Sequence, residues 1–293
     1  MGYKNKISKQ QIINSEITKH LNDISKIGQS RHEAKQIGEA SSYIFSIKTY
    51  ENYKQTLEVF SKWCLKEHPE VKHIEDCKKY VEEYINKMIE DNYSSYTQKS
   101  RLAGFRKFYG DRFEGIYTEG RKRSQIKRGR QDSSMSRHFS EDANKDLIYF
   151  CKHTGLRRTE LEHLKGGCVS KHKDGHYYIN NIKGKGGRMR DVRILDDDLL
   201  IVNRIASTKE NELVWGRVHS KANIHGYRAD YAEALYKSLA RDIDLVPLKD
   251  VYICRDDMAG LKLDKQAMKE VSENLGHSRI GIIAYNYLYN LKK

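Results

Sequence analysis

Thr154-Gly155-Leu156-Arg157-Arg158-Thr159-Glu160-Leu161 is the stretch on which the rest of the sequence turns. A glycine turn delivers an arginine to a helix start, and Glu160, one turn on, can orient it. Three further clusters follow. Lys185 stands at the tip of a glycine-rich hairpin, Gly184-Lys185-Gly186-Gly187, where a side chain can reach a ligand without crowding. His225-Gly226-Tyr227-Arg228 presents a histidine and an arginine one helical turn apart on one face. Leu275-Gly276-His277, with Gly276 as the residue just past a helix end, is followed by Tyr285-Asn286-Tyr287-Leu288-Tyr289. Each cluster alone is a common pattern, and they need a joint explanation.

The whole chain points to a polyanionic partner. Its 293 residues suit two domains. Lys plus Arg number 54 against 40 acids, a formal net charge of +14. With 38% hydrophobic residues there is no apolar run near the length that spans a bilayer, nor a signal-type apolar start, so no membrane partner is expected. The five cysteines, Cys64, Cys77, Cys151, Cys168 and Cys254, lack metal-ligand spacing and read as reduced thiols of a cytosolic protein. No metal and no cofactor are expected.

Outward from the clusters the chain divides by pattern. Residues 1–40 carry Ile13, Ile17, Leu21 and Ile24 at helical spacing in a polar stretch and read as an N-terminal arm. Residues 41–115 hold three amphipathic segments, with Tyr50, Tyr53, Leu57, Phe60 and Cys64, then Ile74, Cys77, Val81, Ile85 and Met88, then Leu102, Phe105 and Tyr109 on their apolar faces. The third is basic, with Lys99, Arg101, Arg106 and Lys107, and suits a DNA groove as well as an ordinary helix surface. Residues 116–137 are a linker in which Arg121, Lys122, Arg123, Lys127, Arg128 and Arg130 make six cations in ten residues, a segment suited to phosphates. Residues 138–293 alternate helical and strand patterns. Strands are expected at 176–182 and 192–195, helices from about Tyr227 and Asp264, and a hairpin near 251–264.

In this order and spacing the four clusters resemble the tyrosine recombinases, the family of phage and transposon integrases, Xer proteins and Cre. The family's T-G-x-R-x-x-E-L, G-K-G, H-x-x-R and L-G-H motifs stand at Thr154 to Leu161, Gly184 to Gly186, His225 to Arg228 and Leu275 to His277. The resemblance implies a mostly α fold with a small β-sheet, an α+β catalytic domain joined to a helical one as a two-domain DNA clamp. It also implies a site-specific recombinase that cleaves and rejoins double-stranded DNA through a 3′-phosphotyrosyl intermediate, without ATP, as a tetramer on paired sites. The catalytic set becomes Arg157, Lys185, His225, Arg228, His277 and Tyr287. Two features depart from the family pattern. The usual nucleophile position after the last histidine is Asn286; Tyr287 before Leu288 resembles a spacing of integrases from Gram-positive mobile elements, with Tyr285 the alternative. The stretch between Arg228 and His277 is also longer than in minimal members. Open alternatives are a DNA-binding protein of this fold without the reaction, and a relaxase like the type IB topoisomerases.

The chemistry explains the residue types without the family. An oxygen nucleophile attacking a phosphodiester builds charge on the non-bridging oxygens, and fork-shaped guanidiniums stabilise it bidentately. That suits Arg157 and Arg228, with His225 and His277 completing the hydrogen bonds. Tyrosine, with an ordinary pKa near 10, must lose its proton as it attacks, and the leaving 5′-oxygen must gain one, a role for Lys185. Arg158 and Lys183 read as surface charges, and Trp215 as either core or cleft wall.

Overall fold

The computed structural model describes residues 7–120, 139–184 and 187–292. The chain divides into two compact units, Met1–Gln125 and Ile126–Lys293. Arg121, Lys122, Arg123, Lys127, Arg128, Arg130 and Lys185 lie outside the described residues.

The first unit is helical: α1 (Lys9–Asp23), α2 (Arg31–Gln36), α3 (Ile47–Glu67), α4 (Val81–Glu90) and α5 (Ser95–Tyr109). Serine caps start four of these helices, Ser8, Ser30, Ser46 and Ser94 each accepting a backbone N–H of the first turn. Apolar positions at three-and-four spacing give each long helix one buried stripe, and the stripes meet around Phe60, whose ring lies 4.7 Å from Phe105 and 5.1 Å from Tyr84. The stretch read as an arm packs against this core. Ile13, Ile17 and Leu21 of α1 are fully buried in the same core as Leu57, Phe60 and Phe105. A stripe of three large apolar side chains needs cover, and α3 supplies it. Beyond α1 the chain is tied to residue 44 by paired backbone hydrogen bonds, Lys26 N to Ile44 O and Ile44 N to Ile24 O, both 2.8 Å.

The second unit is α+β: α6 (Lys145–Thr154), α7 (Arg158–Glu162), β1 (Val169–Lys171), β2 (Tyr177–Lys183), β3 (Met189–Arg193), α8 (Leu199–Ser207), α9 (Ile224–Leu239), β4 (Val251–Ile253), β5 (Lys262–Asp264), α10 (Lys265–Asn274) and α11 (Gly281–Asn286). The strands β1-β2-β3 form an antiparallel sheet in that order, and β4 pairs antiparallel with β5. β1 was not expected from the sequence, because three residues are too few to display an alternation. Ile179, Ile182, Val192 and Ile194 point from the sheet into a core that also takes Phe150, Leu161, Tyr231 and Met268. Trp215 belongs to this core, its ring edge-on to Phe150 at 5.4 Å and beneath the Arg204 guanidinium at 3.8 Å. No described helix is long and apolar enough to cross a membrane.

Candidate active site

Helix ends place the functional side chains. α6 stops at Gly155, whose φ of 57° is left-handed and whose place against the Tyr231 ring leaves 2.3 Å to any added Cβ. The chain then turns directly into α7, and Arg157 sits at its start. The Glu160 carboxylate accepts from the Arg157 backbone N–H at 2.8 Å and from Arg157 Nη1 at 2.7 Å. α9 begins at Asn223, whose side chain accepts from Gly226 N at 3.0 Å, and this fixes the turn carrying His225 and Arg228. α10 ends at Leu275, with Gly276 left-handed at φ 66° and its α-carbon facing Arg190 so closely that a Cβ would sit 3.0 Å from that side chain.

The Leu275 carbonyl, at a helix C-terminus where the backbone carries partial negative charge, accepts from both arginines of the expected clamp. Arg157 Nη2 reaches it at 2.9 Å, and Arg228 Nη2 donates to it as well. Arg228 Nη1 donates to the Gly155 carbonyl, and its Nε to Tyr287 Oη at 3.3 Å. Arg228 is nearly buried, with 2% of its side chain exposed, and burial lowers its pKa to about 10, so it stays charged at neutral pH. Three of its five N–H donors have hydrogen-bond partners here, and its Nη1 lies 4.0 Å from Glu160 Oε2.

Tyr287 stands at the end of α11 with its ring buried and its hydroxyl 3.1 Å from His277 Nε2. The His225 ring lies 5.4 Å from the Tyr287 ring. Burial, and then the charges of Arg228, Arg157 and Arg190, lower the His277 pKa to about 4, so this imidazole is neutral at pH 7. Arg157, His225, Arg228 and Tyr287 line one cavity of about 380 Å³. Five of the six expected site residues are thus brought together, the sixth being Lys185.

The structure also separates the two candidate tyrosines. The Tyr285 hydroxyl accepts from Arg255 N at 2.8 Å and donates to Arg255 O at 3.3 Å, in the connection between β4 and β5. It ties α11 to that hairpin, whereas Tyr287 faces the arginines. Lys183 is exposed at the end of β2. Arg158 is not a solvated surface charge. It donates to the carbonyls of His219, Ser220 and Ala222 at 2.9, 3.3 and 2.9 Å, closing the loop that leads into α9.

Sequence reading missed Arg190. Its Nη1 and Nη2 donate to Glu160 Oε1 and Oε2 at 2.9 and 2.8 Å, and its Nε to Asn274 O at 2.7 Å. A signal was available: Arg190, Val192 and Ile194 share one strand parity, so the arginine falls on the core-facing side. Burial would raise the Glu160 pKa, but hydrogen bonding and charge from Arg190, then Arg157 and Arg228, bring it down to about 2.

Of the expected DNA-binding residues on α5, Lys99 and Arg101 are half-buried and Arg106 is exposed, its Nε donating to Arg112 O at 2.7 Å. Lys107 departs from expectation. Its ammonium donates to the backbone carbonyls of Ser41 and Tyr43, and burial, then the Arg31 charge, lowers its pKa.

Residues 39–114 match the family model described as phage integrase, N-terminal SAM-like domain. That match lies within the first unit, and it agrees with the resemblance to phage-type integrases carried by the motifs of the second. No curated protein matches the chain. Among solved structures it is similar to XerA recombinase, at 16% identity over 92% of this chain and 93% of that one with a TM-score of 0.30. It is also similar to the Tn1549 transposon integrase in complex with transposon right end DNA, at 13% identity over 94% of each chain with a TM-score of 0.44. At these scores neither likeness bears on function.

Proposed function

We propose that the chain is a site-specific DNA recombinase that cuts and rejoins duplex DNA through a 3′-phosphotyrosyl bond, with Tyr287 as nucleophile. The observation that carries this reading is the Tyr287 hydroxyl held between Arg228 Nε at 3.3 Å and His277 Nε2 at 3.1 Å. In the reaction, a scissile phosphate enters the cavity lined by Arg157, His225, Arg228 and Tyr287. The remaining guanidinium N–H groups bind its non-bridging oxygens, and the Tyr287 oxygen attacks phosphorus as the bond to the 5′-oxygen breaks. Neutral His277 orients the hydroxyl, and its proton passes to His225 or to a phosphate oxygen. Lys185, by its place in the hairpin motif, protonates the leaving 5′-oxygen. The ester conserves the bond energy, so rejoining requires no ATP. Paired duplex sites and a tetramer, with cytoplasmic action on the genome, belong to the same reading.

The test uses nicked duplexes tiled across the DNA on either side of the coding sequence, with covalent adducts scored on denaturing gels. Wild type should form an adduct on a discrete duplex. Tyr287→Phe should form none while binding that duplex within a few-fold, and Tyr285→Phe should still form it. An adduct that survives Tyr287→Phe and is lost in Tyr285→Phe moves the nucleophile. Specific binding by wild type without any adduct favours a DNA-binding protein that lacks the reaction.

A further inference from the structure

Three guanidiniums converge on one carboxylate in the second unit, and the proposed chemistry uses two of them. Arg190 has 6% of its side chain exposed and Glu160 has 1%. Its fork closes bidentately on Glu160, and its Nε reaches the Asn274 carbonyl. Both targets are one step from the clamp. Glu160 is the acid that holds Arg157 Nη1 and the backbone at Arg157. Asn274 precedes Leu275, whose carbonyl receives Arg157 and Arg228 together. The close fit of Arg190 against Gly276 fixes the same helix end from the side, next to His277. A planar fork with two parallel bonds sets direction as well as distance, which a lysine cannot do.

We propose that Arg190 is a positioning residue of the recombination reaction: it holds Glu160 and the C-terminus of α10 in the one arrangement that aims Arg157 and Arg228 at the same phosphate. The assignment rests on the recombinase reading above. Arg190 is not among the residues that line the cavity, and it acts through the groups it holds. It stands on β3, which pairs with β2, so it links that strand pair to the two arginines.

Glu160 is faced by Arg157 from its own turn, by Arg190 from β3, by Arg228 from α9 at 4.0 Å, and by the His277 imidazole beyond α10. Four hydrogen bonds reach its carboxylate, two of them from Arg190. Without Arg190 the burial of Glu160 is less opposed, and its pKa rises. A protonated Glu160 holds Arg157 poorly, so cleavage is lost as pH falls through the raised value. An acid limb therefore appears at higher pH than in wild type.

The experiment measures single-turnover adduct formation by the full chain across pH 5 to 9, on whichever tiled nicked duplex wild type captures. Arg190→Gln should cut adduct formation on the order of a hundredfold, the scale of misplaced reacting groups. Duplex binding should stay within a few-fold, and the acid limb should move upward. Arg190→Lys keeps the charge without the fork; it should retain the wild-type acid limb at a reduced rate, and it decides the matter if Arg190→Gln does not fold. A wild-type rate in either folded variant overturns the proposal, as does a uniform loss with an unmoved acid limb in Arg190→Gln. Absence of any wild-type adduct overturns the recombinase reading and this role with it, whereas a wild-type adduct with indifferent Arg190 variants overturns this role alone.

Discussion

The cations of the two units obey different rules. On α5 of the first unit Lys99 and Arg101 are half-buried and Arg106 is exposed, and a basic face among apolar positions makes them visible in the sequence. In the second unit Arg157, Arg190 and Arg228 have 24%, 6% and 2% of their side chains exposed; they converge on Glu160, and among them they donate to the carbonyls of Gly155, Asn274 and Leu275. Surface cations neutralise phosphates at little structural cost and are screened by salt. Buried guanidiniums exist only because carboxylate and carbonyl partners offset their desolvation, and that same fixing makes them fit to meet charge developing in a reaction. Under the proposed function, affinity and chemistry are built from cations under opposite solvation.

The largest expected effect follows from removing the shared acid. Glu160→Ala leaves Arg190 and Arg157 without their carboxylate, and breaking a buried ion pair from one side costs about 3–5 kcal/mol. Urea denaturation of the second unit's signal at pH 7 measures it, and a loss under about 1 kcal/mol would make the network cosmetic. The pH dependence has a definite sign. The Glu160 pKa is depressed to about 2 from an ordinary carboxylate value, so its stabilisation is fully present above about pH 5 and is lost as pH falls toward 2. Glu160→Gln should flatten that acid limb.

A smaller effect separates Lys107 from its neighbours on α5. Lys107→Met deprives the Ser41 and Tyr43 carbonyls of a charged donor and should destabilise the first unit by about 1–3 kcal/mol, read by thermal melting. Arg101→Gln should leave stability within about 0.5 kcal/mol and lower the salt dependence of duplex binding by up to roughly one unit of log slope. Equal stability losses for Lys107→Met and Arg101→Gln would erase the distinction between a structural and a solvated cation.

Much of the fold was legible because periodic patterns are local. The apolar stripes of α3, α4 and α5 contain the residues buried in the first core, and the helix stop at Gly155 and the turn at Gly276 carry their own glycine signals. The β4–β5 hairpin lies where alternation and turn residues put it, at Val251–Ile253 and Lys262–Asp264. α1 was read as an arm because its stripe had no visible partner; only α3 packed beside it makes that stripe a core.

The sequence by itself determined the inventory: which segments are helical, where glycines must turn the chain, and which arginines, histidines and tyrosines recur in chemically suggestive order. Only the tertiary structure decided their assignments. It put Tyr287 against Arg228 and His277, turned Tyr285 to the Arg255 backbone, drew Arg158 and Lys107 onto loop carbonyls, and brought Arg190 from a strand to a carboxylate 30 residues away. The physical reason is that a side chain's role depends on its solvation and its partners. Both are fixed by packing between segments far apart in the chain, which no local pattern of residues encodes.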